Sequence, residues 1–453
     1  MTPSLLLINP WIYDFAAYDL WSKPLGLLYL AGSLRHCGFT IHLIDCLDVH
    51  HPAMSGDPAM QTPTRRLYGT GKFWRQKARR PLPLKDIQRP YSRYGLSNKA
   101  FQEALKAIRD PAAILVTSLM TYWYPGVKEA ISLAKQIHPR TPVILGGIYA
   151  KLCHDHAMLN SGADRIVTDS DPFSVLRVLD DCGIPVPGRI PPMHCRPYPA
   201  FDLLGRIDYV CLLTSVGCPY RCRYCASHFL NPDPIKRDPR EVLDEVLFWH
   251  KDYGICDFAF YDDALLLESY KHLAVLLEDL VRRGLKIRFH TPNALHVKEI
   301  TPGIARIMYQ AGFRTIRLGL ETSNFGPLRD LDNKLDKGDF ERAVRVLLEA
   351  GFTGEQTGAY IMIGLPGQSA DSVIETIESV AEAGIAPYLS EYSPIPHTAL
   401  WNEAVSLSEY DLVSEPLFHN NTLLPCWDDS QKKELPRLKK RISEIREKLR
   451  SGR

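Results

Sequence analysis

From about residue 205 to residue 405 the chain switches repeatedly between strand-like apolar runs and amphipathic helical stretches, and this alternation limits its fold more than anything else. Residues 239–252 read as helix, and Phe258-Ala259-Phe260-Tyr261 reads as a strand ending in Asp262-Asp263. Ser269–Arg283 is an amphipathic stretch leading to the strand Ile287–His290 and the turn Thr291-Pro292-Asn293. Ile304–Ala311 leads to Thr315–Leu318, which ends in Gly319-Leu320-Glu321-Thr322. Asp339–Ala350 leads to Thr357–Ile363, ending in Gly364-Leu365-Pro366-Gly367, and Ala370–Ala383 leads to Ala386–Tyr392. Such repeats, joined by right-handed crossovers, predict a partial (β/α)6 barrel. Each polar or glycine-rich turn follows a strand, so all of them share the carboxyl edge, where such sheets bind ligands.

An apolar strand also leads into Gly217-Cys218-Pro219-Tyr220-Arg221-Cys222-Arg223-Tyr224-Cys225. Three thiols so close together on a Gly-Pro loop can converge on a soft-metal centre. A structural zinc site takes four protein ligands, and electron-transfer clusters are usually held by four cysteines. A cubane on three thiolates leaves one iron to bind something else. Two competing readings are zinc completed by His228 and a redox dithiol, although a thioredoxin-like pair gives no reason for the third thiol.

The spacing Cys-x3-Cys-x2-Cys, with Tyr224 before the last cysteine, resembles the cluster loop of the radical S-adenosylmethionine (radical SAM) enzymes. The resemblance implies a 4Fe-4S cluster on Cys218, Cys222 and Cys225 whose remaining iron chelates the methionine part of SAM. Reductive cleavage of SAM would then give a 5′-deoxyadenosyl radical, with the protein orienting the cofactor and excluding water. It further implies that Asp262 and Asp263 bind the SAM amino group and that Asn293 lies at the same site. Glu321 would contact the ribose, and Tyr360, Met362 and Gly364 would pack near the adenine beside Tyr224. An acidic pair at a strand end also serves as a helix cap, and Gly-Leu-Pro-Gly as a tight turn. Pro396-His397-Thr398 departs from the Pro-Gly-Thr common in such sequences.

The N-terminal part alternates in the same way. Leu5–Asn9, Thr40–Asp45, Ala113–Ser118, Val143–Leu145 and Ala163–Val167 read as strands, with helices over Leu25–His36 and Gly126–Ile137, and predict a doubly wound Rossmann-like sheet. No Gly-x-Gly-x-x-Gly follows the first strand, which argues against a nicotinamide cofactor. Pro24–Ala31, Asp45 and Gly146-Gly147 resemble the cobalamin-binding domain that precedes the barrel in the cobalamin-dependent radical SAM subgroup. That resemblance implies a cobalamin pocket from Asn9, Pro10, Thr117, Ser118, Thr121, Gly146, Gly147 and Ile148. Asp-x-His-x-x-Gly is absent, as is common in that subgroup; Thr168-Asp169-Ser170-Asp171 replaces the usual late turn, and a flavodoxin-like domain without cobalamin is the competing reading.

These patterns divide the chain into residues 1–183 with a basic insertion at about 53–100, a proline-rich linker 184–204, the barrel 205–405 and a tail 406–453. Arg65–Lys99 holds eleven basic residues against Asp86 alone, interleaved with Tyr68, Phe73, Trp74, Tyr91 and Tyr94, although the whole chain carries only +2. No recognisable nucleic-acid module accompanies the run, which favours an insertion with buried aromatics and cations that are solvated or face an anionic substrate. The lysine-rich tail from Gln431 reads as a solvated helix. With 45% hydrophobic residues, no apolar run of about 20 residues and an odd cysteine count of 11, the chain fits a soluble cytoplasmic protein. The resemblance thus implies a radical SAM enzyme, with cobalamin carrying methyl to an unactivated carbon of a small-molecule substrate. A reductant such as flavodoxin or ferredoxin would supply the electron. The alternatives are a radical rearrangement or cyclisation without methyl transfer and, more distantly, a metal- or corrinoid-binding sensor.

Overall fold

The computed structural model describes every residue except 1, 170, 189–196, 324–330, 332–334, 336–337 and 452–453. Pro191, Pro192 and Cys195 of the expected linker, and Ser170 of the Thr168–Asp171 turn, therefore lie outside the described residues. Two compact units emerge: residues 1–208 with 413–417, and residues 209–412 with 418–453. No helix among the described residues is long and apolar enough to cross a membrane.

The N-terminal unit is built on five parallel strands: β1 (Ser4–Asn9), β2 (Thr40–Asp45), β3 (Ala113–Val116), β4 (Val143–Leu145) and β5 (Arg165–Ile166), in the order β5-β4-β3-β1-β2. Its longer helices are α1 (Leu25–His36), α2 (Asn98–Ala107), α3 (Tyr124–Ile137) and α4 (Pro172–Asp181). Period-two alternation sends β1 side chains to opposite faces. Leu5 and Leu7 meet Leu27 and Leu34 of α1 and Leu176 of α4, while Leu6 and Ile8 share a core with Phe101 of α2 and Val127 and Ile131 of α3. The sheet is thus covered on both sides, which is the doubly wound arrangement the sequence predicts. The described end of the linker is not loose, because the Ala200 amide donates to the Leu28 carbonyl of α1 at 3.0 Å. The insertion adds Arg75–Lys77 and Ser92–Tyr94 to Ile12–Asp14 as a small antiparallel sheet.

The second unit carries six parallel strands side by side: β6 (Val210–Leu212), β7 (Asp257–Phe260), β8 (Arg288–His290), β9 (Phe313–Glu321), β10 (Thr357–Ile363) and β11 (Ala386–Glu391). The crossover helices are α5 (Pro239–Tyr253), α6 (Leu273–Arg282), α7 (Pro302–Gln310), α8 (Asp339–Glu349) and α9 (Ala370–Glu382). Local chemistry sets their ends: the Asp238, Thr301 and Ser369 side chains cap the first turns of α5, α7 and α9, and Gly254 closes α5 in the left-handed region. Phe260, Phe289 and Phe313 pack together on one face of the sheet, with ring centroids 5.1 to 5.7 Å apart.

The expectation of a solvated C-terminal helix is corrected. Helix α10 (Leu435–Arg450) buries Leu438, Ile442 and Ile445, spaced to form one stripe. Arg441 pairs with Glu378 of α9 at 2.6 Å, and Arg446 donates to the Pro387 carbonyl of β11 at 2.7 Å.

Candidate active site

The cysteine loop is clamped where it begins and ends. Beyond β6, Ser215–Val216 pairs antiparallel with Ile235–Lys236, so residues 217–234 project as a loop from a short ribbon. Gly217 makes the first turn at φ +81°, and a side chain there would come within 3.0 Å of the Asn231 carbonyl. The Asp262 carboxylate anchors the approach to this ribbon. It accepts from the amides of Thr214 (3.1 Å) and Ser215 (2.6 Å) and from both hydroxyls (2.6 Å each). Burial pushes the Asp262 carboxyl above the usual carboxylate range, and these four donors offset that only in part.

Within the loop, the Cys225 amide donates to the Cys222 carbonyl at 3.0 Å. The Arg223 amide donates to the Leu331 carbonyl at 2.9 Å, and the Arg223 carbonyl accepts from the Leu400 amide at 3.0 Å. Tyr220 stacks on His296, with centroids 4.7 Å apart. Cys222 is buried and Cys218 and Cys225 are half-buried; all three are thiols. The Cys225 sulfur accepts the Ser227 amide at 3.4 Å, and the Ser227 hydroxyl donates to Asp263 at 2.6 Å.

Beside the loop lies a cavity of about 470 Å³, lined by Tyr220, Tyr224, Asp263, Asn293, His296, Glu321 and Tyr360 among others. Asp263 and Asn293 follow β7 and β8, Glu321 ends β9, Tyr360 lies within β10, and Tyr220 and Tyr224 come from the cysteine loop. The Tyr224 hydroxyl donates to Glu321 at 3.1 Å. Glu321 sits at φ +61°, where its pairing with β10 slips by one residue. A non-glycine residue held in this region is costly backbone kept for where it aims a side chain. Asn293 donates its amide to the Tyr261 carbonyl at 2.8 Å, and the Tyr360 hydroxyl donates to the Pro292 carbonyl at 2.8 Å. Burial raises the Tyr360 phenol, which keeps it a neutral donor.

The predicted SAM residues therefore separate. Tyr224, Asp263, Asn293, Glu321 and Tyr360 meet at the cavity. Asp262 does not line it, being buried and spent on Thr214 and Ser215. Met362 packs with Leu365 and Tyr392 behind Tyr224. Gly364 turns the chain against Leu424 and donates its amide to Gln368 at 2.9 Å. His397 stacks flat on Phe229 at 4.0 Å. Sequence reasoning missed His296 and Lys298, which line the cavity from the segment after Asn293; no motif marks them.

The three thiols are borne on one loop whose ends are tied down by backbone hydrogen bonds. Among the described residues no three His, Cys, Asp or Glu side chains gather into a one-ion site. A cubane asks instead for one thiolate on each of three irons, from a loop whose backbone is fixed on both sides. A cavity of this size, with aromatic walls and a few polar groups, falls within the range of about 300–1,000 Å³ usual for small-molecule sites.

Residues 212–380 match the radical SAM superfamily. The barrel unit of this chain is a radical SAM domain. An uncharacterized methyltransferase from Pyrococcus horikoshii is 25% identical over 219 residues, a match spanning 46% of each protein. A cytidylyl-2-hydroxyethylphosphonate methyltransferase from Streptomyces wedmorensis is 21% identical over 470 residues, covering 88% of this chain and 81% of that one. Among solved structures, the radical SAM methyltransferase TsrM from Kitasatospora setae, with tryptophan and a SAM analogue bound, superposes over 95% of this chain and 84% of its own. The TM-score is 0.64 at 16% identity, a likeness of fold across the radical SAM domain and the N-terminal unit.

In the N-terminal unit the remaining predicted residues lie at the carboxyl edge. Asn9 ends β1 and Pro10 follows it, and Thr117, Ser118 and Thr121 follow β3; β1 and β3 flank the point where the strand order reverses. Gly146, Gly147 and Ile148 follow β4. Asn9 and Ser118 are buried, donating to Asp45 and the Gly146 carbonyl, each at 2.7 Å. Gly147 and Ile148 are exposed. At φ +94°, with a Cβ that would fall 2.3 Å from the Ser118 carbonyl oxygen, position 147 admits only glycine.

Proposed function

We propose that the chain is a cobalamin-dependent radical SAM methyltransferase acting on an unactivated carbon of a small-molecule substrate. The observation that carries the reading is the cavity at the barrel's carboxyl edge, where Tyr224, Asp263, Asn293, Glu321 and Tyr360 meet beside the three-thiol loop. Names of relatives support it: two are methyltransferases, and the TsrM fold spans both units. When bound, a 4Fe-4S cluster supplies the electron that cleaves SAM, and cobalamin supplies a carrier for the methyl group.

Cys218, Cys222 and Cys225 would hold the cluster, and the Ser227 amide would stabilise the negative charge on the Cys225 sulfur. Asp263, with one oxygen taking the Ser227 hydroxyl, would accept from the SAM amino group together with the Asn293 carbonyl oxygen. Glu321, held by Tyr224, would accept from the ribose hydroxyls, and the Tyr224 and Tyr360 rings would flank the adenine. Asp262, Met362 and Gly364 would act one layer back, fixing the backbone and walls. Thr117, Gly147 and Ile148 would face a corrin, with Asn9, Pro10, Ser118, Thr121 and Gly146 shaping the edge behind them. A cytoplasmic setting, with flavodoxin or ferredoxin as reductant, completes the reading.

The test is anaerobic reconstitution followed by iron, sulfide and corrinoid analysis and assay of 5′-deoxyadenosine. Wild-type protein should hold a four-iron cluster and retain cobalamin through gel filtration, whereas Cys222→Ala should fall to background in iron and release no 5′-deoxyadenosine. A full cluster and undiminished SAM cleavage in that variant would sink the proposal. Labelled SAM methyl found in a product separates methyl transfer from rearrangement or cyclisation.

A further inference from the structure

The N-terminal unit holds a cleft of about 1020 Å³ that the proposed chemistry does not use, and five cations line it: Lys77, Arg79, Arg80, Lys85 and Arg89. We infer that this cleft binds a phosphate-bearing organic anion about the size of a nucleoside monophosphate. The inference rests on charge, shape and a fixed backbone, and does not depend on the barrel's activity.

The loop carrying the cations is built rather than loose. Arg75–Lys77 pairs with Ser92–Tyr94, and the Ala78 amide donates to the Tyr91 carbonyl at 3.0 Å. Leu84 is fully buried and pins the far end, while the Arg80 guanidinium bonds the Ile87 carbonyl and crosses the base of the loop. The charges are therefore held on one wall. Facing them are Tyr13, Tyr91 and Glu129, the last being the one acid that lines the cleft among the described residues. Its carboxylate already takes the Tyr13 hydroxyl and lies 3.4 Å from the buried Arg93 guanidinium. Burial raises both phenols, so neither tyrosine adds negative charge. Among the described residues Lys77, Arg79 and Lys85 have no acidic partner. Like charges gathered on a fixed loop repel one another, and a bound anion relieves that repulsion.

Shape selects among anions. The cleft is concave and much larger than inorganic phosphate, whereas single-stranded nucleic acid needs aromatic faces on which bases stack. Phe73, Trp74, Tyr91 and Tyr94 of this segment are buried, at 3, 9, 2 and 4% exposure, half-buried Tyr68 does not line the cleft, and Tyr13 is the one half-buried aromatic that does among the described residues. A small organic phosphate, held by its charge on the Lys77–Arg89 wall, fits both facts.

Titration calorimetry of the full-length holoprotein tests this, with cytidine 5′-monophosphate, cytidine and a 20-nucleotide single-stranded DNA as probes. The nucleotide should bind once per chain and cytidine at least about tenfold more weakly, since charge-assisted hydrogen bonds carry the difference. The triple variant Lys77→Ala, Arg79→Ala, Lys85→Ala should lose about tenfold or more in nucleotide affinity. Its melting temperature should stay within about 2 °C of wild type, as expected for exposed positions. The inference is overturned by absence of nucleotide binding up to about 1 mM, or by unchanged affinity in the triple variant. Tighter binding of the DNA than of the nucleotide also overturns it and assigns the cleft to nucleic acid.

Discussion

The two parallel sheets end their strands in the same kinds of residue and use them in opposite ways. At the barrel's carboxyl edge Asp263, Asn293, Glu321 and Tyr360 line a cavity of about 470 Å³. At the N-terminal sheet's edge Asn9 donates to Asp45 and Ser118 to the Gly146 carbonyl, each at 2.7 Å. At one edge polar groups line a cavity, and at the other Asn9 and Ser118 are spent on neighbouring groups of the same sheet. The same division runs through two adjacent carboxylates: Asp262 is closed in by four donors, while Asp263 opens on the cavity. Two adjacent polar residues at one strand end can thus serve different ends, one fixing backbone and the other lining a cavity.

The sharpest way to break this comparison is to remove the two carboxylates separately. Asp262→Ala leaves the Thr214 and Ser215 donors buried, at about 1–3 kcal/mol for each group left unsatisfied, so a total loss of about 3 kcal/mol or more is expected in urea unfolding. Asp263→Ala should cost about 0.5 kcal/mol or less in stability and weaken SAM binding about tenfold. An Asp262 variant as stable as wild type, or an Asp263 variant with wild-type affinity, would show that the two roles are misassigned.

A smaller effect separates the sheets by pH. His290 of β8 is fully buried, and burial lowers its pKa despite the Asp257 carboxylate 3.2 Å away. Its contribution to stability is complete above the unfolded value near 6.5 and is lost as pH falls from there towards the lowered folded value. Burial would raise Asp257, but the Arg288 and His290 hydrogen bonds hold it low, so its share is lost only as pH falls below about 4. Asp45 at the end of β2 runs the other way. Burial raises it, so its contribution is complete below the unfolded value and fades as pH rises through the folded one. Hydrogen-exchange protection between pH 7.5 and 5.5 should therefore fall at Arg288–His290 and hold at Ser4–Asn9, and His290→Gln should abolish the fall. Equal losses in both sheets would remove the contrast.

What the sequence disclosed follows from which interactions are local. The strand Thr357–Ile363 has the same bounds in the structure as in the reading, because its apolar run and following glycine turn are chain-local signals. The two-faced burial of Leu5–Ile8 follows directly from strand period. The choice between Asp262 and Asp263 was not legible, since the Thr214 and Ser215 donors arrive from 47 or 48 residues away. Nor was the Tyr220–His296 stack, which joins a loop and a short strand that no motif connects. The stripe Leu438, Ile442, Ile445 was present in the sequence, but the surrounding lysines and arginines hid a docking face behind a solvated one.

The finest test of how the barrel edge keeps its side chains presented is Tyr224→Phe. The substitution removes the hydroxyl that donates to Glu321 at 3.1 Å and keeps the ring. Glu321 is held at φ +61° and lines the cavity, and the tyrosine adds a constraint on its carboxylate. One hydrogen bond of this kind is worth about 1 kcal/mol, so SAM affinity should fall about fivefold. KM for SAM should rise with little change in kcat, because the ring still packs and the lost contact orients a group away from the bond that breaks. Cluster absorbance should be unchanged, since the neighbouring Arg223 backbone, bonded to Leu331 and Leu400, fixes the loop independently of the tyrosine hydroxyl. If affinity is unaltered as well, the strained backbone at Glu321 alone presents the carboxylate, and the difference between the two edges lies in main-chain geometry rather than in side-chain partners.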